Sequence, residues 1–163
     1  RANERTFQLI SQVAGRTGRS EKKGLVLVQT YLDQQAAIRF ALENDFKGFV
    51  NYELKHRKEC NMPPFCRMAV MVLEDRDYEK LKLACEAMAS KIEGIISANN
   101  FSIKVRGPLA AIISRMNRYH RKQIVLQAPN AGQMCKFFGI LRNSAATKPA
   151  VRISIDVDPV NLL

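Results

Sequence analysis

Met68-Ala-Val-Met-Val-Leu73 is the stretch that decides the fold of the larger part of this chain. It is an unbroken apolar run of six residues, the pattern of a short strand that is buried on both faces in the middle of a sheet. Asp77 follows shortly after it and has a side chain suited to cap a helix, and apolar residues at helical spacing then continue to about Ile96. The sequence therefore predicts a buried strand followed by a long, capped helix.

Strands and helices continue to alternate up to the C-terminal end. Further strands are predicted at Ser102–Arg106, Gln123–Leu126 and Val151–Val157, and a second helix at residues 130–142. The first and third strands are apolar on both faces, whereas the second and fourth alternate apolar with polar residues, so the first and third are expected in the centre of the sheet. The fold class predicted is α/β, with a ferredoxin-like (β-α-β-β-α-β) α+β domain over residues 63–163.

The connection between the second and third of these strands, Gly107–Lys122, is predicted to be a long basic loop, because it exceeds the length of a tight hairpin turn. Guanidinium groups pair bidentately with phosphates and an aromatic face stacks a base, so arginines interleaved with a tyrosine suit nucleic acid. A flexible basic loop without a specific role is the alternative. The candidate DNA-binding residues are Lys104, Arg106, Arg115, Arg118, Tyr119, Arg121 and Lys122.

The charge of the chain is strongly one-sided. Among 163 residues, 26 are Lys or Arg and 15 are Asp or Glu, for a net charge of +11. No acidic residue occurs from Gly94 to Ile155. This distribution indicates an anionic partner, nucleic acid first, and acidic peptides or membrane headgroups after it. No apolar run approaches the roughly 18 residues that span a bilayer, so no membrane segment is predicted.

The four cysteines do not indicate a metal site. Cys60 and Cys66 are separated by five residues, which is not a usual zinc-ligand spacing. Cys85 falls on the apolar face of the first predicted helix with Leu81 and Met88, so it is expected in the core. Reduced thiols and no bound metal are therefore expected.

Residues 1–62 differ in pattern from the rest and are predicted to form a separate part, which Pro63-Pro64 ends because prolines cannot continue a helix. Leu25–Val28 predicts a strand buried on both faces. Two helices follow, with Asp33 and Asp45 as their caps. A single strand is a piece of a sheet, so this part is expected to be incomplete on its own.

The motif that carries chemistry lies at the end of a helix predicted at residues 4–14. It is Gln12-Val-Ala-Gly-Arg-Thr-Gly-Arg19. Its glycines let the backbone approach a ligand closely, and Arg16 and Arg19 present two cationic forks to a multiply charged oxyanion. The alternative is that these arginines form ion pairs with nearby glutamates, Glu4 or Glu21.

Gln12–Arg19 resembles the sixth conserved motif of superfamily 2 helicases, Q-x-x-G-R-x-G-R. The wider sequence resembles the bacterial primosomal replication-restart helicases, the PriA family (primosomal protein N′), with further matches at Val28-Gln-Thr-Tyr31, Pro63-Pro-Phe65 and Asp156-Val-Asp-Pro159. The resemblance runs nearly end to end. It implies the C-terminal fragment of an ATP-driven 3′–5′ DNA helicase, in which residues 1–62 are the tail of the second RecA-like lobe and 63–163 bind DNA.

The resemblance also implies the roles of the motif. Arg16 and Arg19 would act catalytically by reaching the γ-phosphate of ATP across the lobe interface, and Gln12, Gly15 and Gly18 would complete the ATP-binding set. ATP and Mg²⁺ would be cofactors of the full-length protein, and the zinc of the family would be bound outside this chain. No G-x-x-x-x-G-K-[ST] phosphate loop occurs, so this chain alone is predicted to be inactive.

The partners implied by the resemblance are single-stranded and branched fork DNA, the single-stranded DNA-binding protein and other primosome proteins. A monomer in the bacterial cytoplasm, at the nucleoid, is expected. The alternative function is a non-enzymatic, RNA-binding or ribosome-associated ferredoxin-like module.

Overall fold

The structure, a computed structural model, describes residues 2–17, 25–144 and 150–159. The chain divides into two compact units, Arg1–Glu59 and Cys60–Leu163. Across the described ranges, no helix has both the length and the apolar character needed to cross a membrane. The helices of the first unit are α1 (Ala2–Thr17), α2 (Ala36–Leu42) and α3 (Phe46–Glu59). The elements of the second are β1 (Arg67–Asp75), α4 (Tyr78–Ala98), β2 (Lys104–Met116), β3 (Tyr119–Ala128), α5 (Ala131–Asn143) and β4 (Arg152–Val157).

An aromatic cluster holds the three helices of the first unit together. Phe7 of α1 stacks on Phe49 of α3 with ring centroids 4.4 Å apart and planes at 3°. Phe40 of α2 meets Phe49 edge-on at 6.3 Å, and Ala37 beside it is fully buried. Stacked and edge-on aromatic pairs stabilise beyond the area that they bury. Residues of all three helices therefore contribute to one small core.

The two predicted caps in the first unit have different outcomes. Asp45 precedes α3 and its carboxylate accepts a hydrogen bond from the backbone N–H of Gly48 at 2.8 Å, which confirms its capping role. The prediction that Asp33 caps α2 is wrong. The cap position is occupied by Gln35, whose side chain makes no capping hydrogen bond, and Asp33 lies two residues too early to reach the free N–H groups of the helix.

The strand predicted at Leu25–Val28 does not form. Residues 25–30 are neither helix nor strand, and the side chains of Leu25 and Leu27 are both 87% exposed. A strand exists only where a neighbour satisfies its backbone hydrogen bonds. In the described part of the first unit all regular elements are helices, so this apolar run has no ladder to join.

The second unit contains a four-stranded antiparallel sheet with the strand order β2-β3-β1-β4. The predicted central placement of the first and third strands is therefore confirmed. On one face of β1, Ala69, Met71 and Leu73 are fully buried. They pack in one core with side chains of α4, α5 and β3, namely Leu81, Cys85, Ile92, Phe137, Ile124 and Leu126.

Both helices of the second unit begin at a capping side chain. The carboxylate of Asp77 accepts hydrogen bonds from the N–H groups of Glu79 and Lys80, at 2.9 and 3.1 Å, which confirms the predicted cap of α4. Asn130 caps α5 by accepting from the N–H of Gln133 at 2.9 Å. These bonds satisfy backbone donors that the first turn of a helix leaves without partners.

Cys85 lies fully buried in this core, as the sequence predicts. Burial raises the pKa of the Cys85 thiol, so the thiol stays protonated. All four cysteines are free. The described ranges contain no group of three or more His, Cys, Asp or Glu side chains that could hold a metal ion.

The prediction of a long basic loop between the second and third strands is wrong. Within Gly107–Lys122, the chain instead extends both strands into a hairpin, in which β2 ends at Met116 and β3 begins at Tyr119. The turn is only Asn117-Arg118, with φ angles of 49° and 69°. Positive φ at both central residues is what a two-residue type I′ turn requires. The basic residues are thus presented by an ordered hairpin.

Two irregularities in β2 explain why the alternation of residues in the sequence does not predict this hairpin. The first lies between Arg106 and Leu109 and contains Gly107, whose φ is +122°. A Cβ at Gly107 would lie 2.7 Å from the carbonyl oxygen of Gln123 on β3, so no other residue fits there. The second lies between Ala110 and Arg115. Both shift the alternation of side chains along the strand.

We expect Asp77→Ala to lower the free energy of unfolding by about 1 kcal/mol, because it removes the acceptor of two N–H groups in the first turn of α4. Urea denaturation followed by far-ultraviolet circular dichroism measures the change. Glu93→Ala, at an exposed position later in the same helix, is the control and should change the value by less than about 0.5 kcal/mol. Equal effects of the two substitutions would contradict the capping role.

Candidate nucleic-acid interface

The candidate DNA-binding residues are distributed over two faces of the sheet and the tip of the hairpin. Side chains alternate along a strand, and Ile124 and Leu126 of β3 point into the core with the helices. We call the side of the sheet opposite α4 and α5 the far face. The far face carries Lys104, Arg106, Tyr119 and Arg121. The hairpin tip carries Arg115 and Arg118, and the helix side carries Lys122.

Tyr119 on the far face is in contact with two guanidinium groups. The Cζ atom of Arg76 lies 5.1 Å from the centre of the ring, and that of Arg152 lies 5.6 Å from it. Both distances are within the range of a cation–π interaction. The sequence analysis did not identify Arg76 or Arg152, which are far from Tyr119 in the chain. We call Arg76, Arg121 and Arg152, with Tyr119 and Glu74, the arginine cluster.

Glu74 is the centre of the arginine cluster because of its register in the sheet. On the central strand β1 it lies directly opposite Arg121 of β3 and opposite Arg152 of β4. One carboxylate oxygen of Glu74 lies 3.1 Å from Nη1 of Arg152, and the other lies 3.5 Å from Nε of Arg121. Oppositely charged residues across a ladder attract one another. One carboxylate is therefore shared by two guanidinium groups, and Arg76 adds a third positive charge at the Tyr119 ring, so the cluster remains cationic.

Arg121 is largely withdrawn from solvent, with only 13% of its side chain exposed. Its Nε atom is buried and has no hydrogen-bond partner among the described residues. The 3.5 Å separation from Glu74 is therefore a charge contact and not an aligned hydrogen bond. Arg121 thus keeps an unused donor next to the carboxylate.

Lys122 takes part in a different contact, on the helix side of the sheet. Its Nζ atom lies 5.5 Å from the centre of the Tyr78 ring at the beginning of α4. His120, two residues earlier on the same strand, meets that ring edge-on at 5.4 Å. Tyr78 is thereby held by two residues of β3, and Lys122 is apart from the arginine cluster.

At the hairpin tip, Arg115 and Arg118 are exposed. Arg115 lies opposite His120 in the last part of the ladder, and Arg118 is the second residue of the turn. Lys104 and Arg106, farther along β2, are exposed as well. The hairpin therefore carries accessible cations at the beginning of β2 and at the turn.

The N-terminal motif lies at the end of α1, which confirms the predicted helix and extends it to Thr17. Gln12, Gly15 and Arg16 are in its last turns and are exposed. A cation in the last turn is favourable because the C-terminal end of a helix carries partial negative charge. Gly18 and Arg19 lie outside the described residues.

The alternative of an internal ion pair can be examined for Glu4 and Arg16. Glu4 is paired with Arg57 of α3, whose Nη2 lies 2.8 Å from its carboxylate. Arg57 also bonds Glu53 through Nε at 2.9 Å. Within the ranges that the structure describes, Arg16 forms no ion pair. Glu21, the other glutamate considered, is outside those ranges.

Comparison with known proteins assigns the chain to a family. Residues 58–160 match the model of the family described as primosomal protein N C-terminal domain. The chain is similar to the replication restart protein PriA of three bacteria. It is 31% identical to that of Bacillus subtilis over 166 residues, which cover all of this chain, and 32% identical to that of Treponema pallidum over 163 residues, which also cover all of it. It is 32% identical to that of Rickettsia prowazekii over 159 residues, which cover 98% of it.

These alignments cover 20%, 24% and 24% of the three relatives, so the chain spans a fifth to a quarter of their length. The family model covers well over half of the chain. The resemblance to this family that the sequence indicates is thereby confirmed. The chain belongs to the family of the primosomal protein N C-terminal domain.

Proposed function

We propose that this chain is the C-terminal part of an ATP-dependent 3′–5′ DNA helicase that restarts replication at stalled or branched forks. Its relatives are named replication restart proteins, which supports the process. The observation that carries the DNA-binding role is the set of exposed cations on the hairpin together with the arginine cluster beside its turn. Guanidinium groups bind phosphates through paired, charge-assisted hydrogen bonds.

We assign a different role to each of the two parts of the chain. Residues 1–62 are the tail of the second RecA-like lobe, and residues 63–163 are a ferredoxin-like DNA-binding domain. The order β-α-β-β-α-β and the strand order β2-β3-β1-β4 support the second assignment.

In this proposal the hairpin and the arginine cluster bind the DNA backbone. Arg115, Arg118, Lys104 and Arg106 contact phosphates, which positions the domain without reading sequence. Tyr119 already contacts Arg76 and Arg152. We therefore assign Tyr119 the role of orienting these two guanidinium groups, in place of the base stacking expected from the sequence.

For ATP hydrolysis, we propose that Arg16 and Arg19 contact the γ-phosphate and that Gln12, Gly15 and Gly18 support them. The exposure of Arg16 and its lack of an ion pair within the described ranges fit a cation held ready for an external phosphate. ATP with Mg²⁺ supplies the transferred phosphoryl group, and arginines that reach it stabilise its developing charge. Zinc does not fit the described residues, because they contain no suitable group of ligands.

The partners that we propose beyond DNA are the single-stranded DNA-binding protein and other primosome proteins. We expect the full-length protein to act as a monomer in the cytoplasm, at the nucleoid. These assignments rest on the family relationship.

We expect Arg115→Gln with Arg118→Gln to weaken binding of fork DNA about a hundredfold, because each of the two lost charge-assisted hydrogen bonds costs roughly 1.5 kcal/mol. The slope of log affinity against log salt should fall by about 0.9 for each duplex phosphate released. Fluorescence anisotropy with labelled fork DNA measures both. Lys136→Gln with Arg142→Gln on α5 removes the same charge from exposed positions on the other side of the sheet and is the matched control.

Unchanged affinity and slope in the hairpin variant would contradict the role of the hairpin. An RNA hairpin that displaces fork DNA at equal concentration would favour the RNA-binding alternative.

Glu74→Gln should raise the affinity for fork DNA several-fold and steepen the salt dependence, because the carboxylate competes with a phosphate for Arg121 and Arg152. Asp156→Asn, an exposed position on β4, removes the same charge and is the control for net charge. The proposal requires a larger gain for Glu74→Gln. An equal gain, or weaker binding, would show that Glu74 does not occupy a phosphate site.

In the full-length protein, we expect Arg16→Gln with Arg19→Gln to lower DNA-stimulated ATP hydrolysis on the order of 10³-fold or more, as for other arginine fingers, and to leave DNA affinity unchanged. Arg5→Gln on the exposed side of the same helix is the control. The chain of 163 residues alone should hydrolyse no ATP. Arginine-dependent turnover by that chain would contradict the assignment.

A further inference from the structure

Strand β4 forms the edge of the sheet that lies opposite the β2 edge. Its six residues, Arg152–Val157, are matched one for one with residues of β1, without a bulge. The β2 edge, in contrast, is interrupted by two shifts of register. Natural proteins protect an edge with bulges or prolines, because its free backbone groups can pair with another chain. β4 contains neither of these two features.

The hydrogen bonds to β1 determine which backbone groups of β4 remain free. The N–H of Asp158 donates to the carbonyl oxygen of Met68 at 2.7 Å, directly beyond the last pair of the ladder. In an antiparallel pair, successive residues alternate between bonding the neighbouring strand and facing away from it. Every second residue before Asp158 therefore bonds β1, and the three residues between them direct their N–H and C=O groups outward. These three are Ile153, Ile155 and Val157.

We call the outward N–H and C=O groups of these three residues the outer edge of β4. Among the described residues, no backbone group outside the ladder forms a hydrogen bond with them. They are spaced regularly, two residues apart, as in the interior of a sheet. The outer edge is therefore a row of donors and acceptors that an extended chain can continue.

The side chains of the same residues lie in one row on the helix side of the sheet. Ile155 is opposite Met71, which belongs to the core with the helices. Val157 is opposite Ala69, which belongs to the same core. Ile155 is nevertheless 45% exposed and Val157 51% exposed, because the sheet of the described residues has no strand beyond β4. The free backbone groups and the accessible β-branched side chains thus belong to the same residues.

Two opposite charges lie on the far face of β4. Arg152 and Asp156 are both exposed and flank Ser154. The side chain of Arg152 is 70% exposed beside Glu74, and Asp156 forms no ion pair within the described ranges. Opposite charges that face each other across a ladder stabilise the pairing. A complementary strand therefore places a carboxylate opposite Arg152 and a cation opposite Asp156.

Two other occupants agree less well with these observations. DNA has no peptide backbone that continues the ladder, and the carboxylate of Asp156 repels its phosphates. A second copy of this chain would match the charges of β4 with its own β4. Each copy carries a net charge of +11, however, so two copies repel one another. A segment of another protein that is neutral or acidic overall meets no such repulsion.

We propose that the outer edge of β4 binds an extended segment of a partner protein, which joins the sheet as an additional antiparallel strand. The backbone of the segment bonds the outward N–H and C=O groups, and its apolar β-branched side chains contact Ile155 and Val157. Its carboxylate faces Arg152 and its cation faces Asp156. In complexes of this kind, main-chain hydrogen bonds provide affinity and alternate side chains provide specificity. This inference goes beyond the proposed function and does not depend on DNA binding.

The test uses the chain of 163 residues and the peptide Val-Lys-Val-Thr-Val-Glu, which is designed to lie antiparallel to Arg152–Val157. Amide hydrogen exchange followed by NMR measures the binding at each residue. In the free chain, the amides of Ile153, Ile155 and Val157 should exchange readily, whereas the inward amides between them should be protected. Saturating peptide should slow exchange of the outward amides about tenfold or more, because a bonded amide exchanges only when it opens.

Ile155→Pro removes one outward N–H and should leave the pairing with β1 intact, because proline is tolerated at an edge residue whose N–H faces solvent. We expect it to weaken peptide binding about fivefold or more, the effect of one lost hydrogen bond. Fluorescence anisotropy with labelled peptide measures the affinity. Ile155→Thr keeps the N–H and the β-branched shape, so it is the matched control and should have a smaller effect. Circular dichroism verifies that both variants are folded.

A second peptide with its two charges exchanged, Val-Glu-Val-Thr-Val-Lys, tests the charge pairing without changing the protein and should bind several-fold more weakly. Equal affinity for the two peptides, or equal effects of Ile155→Pro and Ile155→Thr, would overturn the proposal. Outward amides that are protected in the free chain at every concentration would show that the edge is already covered, which also overturns it. Protection that increases with the concentration of the chain alone would assign the edge to a second copy instead.

Discussion

The packing of β1 against the helices is the constraint on which the second unit depends. Ala69, Met71 and Leu73 occupy the core face of the central strand and are fully buried. Because side chains alternate along a strand, this packing places Glu74 on the opposite face. The two neighbouring strands then bring Arg121 and Arg152 to its sides. A slip of one residue would return Glu74 to the core and separate the cluster, so the apolar core determines where the charges meet.

The arginine cluster is stable because two different side chains compensate its charge. Neighbouring guanidinium groups repel one another, and solvent screens this repulsion least at Arg121, which is largely buried. Glu74 offers a carboxylate to two of them, and the Tyr119 ring offers its electron-rich face to Arg76 and Arg152. The compensation is incomplete, since the buried Nε donor of Arg121 has no hydrogen-bond partner in the part of the chain that the structure describes. The cluster therefore keeps a net positive charge.

The sequence pattern correctly predicts the features that depend on a single helix or strand. The apolar run at residues 68–73, the cap at Asp77 and the buried Cys85 follow from local chemistry, and all three are found. The hairpin was missed because two bulges shift its alternation and because Asn117-Arg118 lacks the glycine that signals a two-residue turn. Arg76 and Arg152 were missed for another reason. Strand register brings them to Tyr119, and register between distant segments is not visible in a sequence without relatives.

The segment of β2 between Ala110 and Arg115 is independent of the strand pairing that holds the arginine cluster. It has four residues where β3 has only Arg121. Strand β3 alone connects the hairpin to the centre of the sheet through its pairing with β1. Residues between Ala110 and Arg115 can therefore be inserted or removed without displacing Arg121 from Glu74. The bulge between Ala110 and Arg115 can therefore change in size while the arginine cluster stays in place. Homologous chains that differ in length should differ here first, and the same place would tolerate a deliberately grafted sequence.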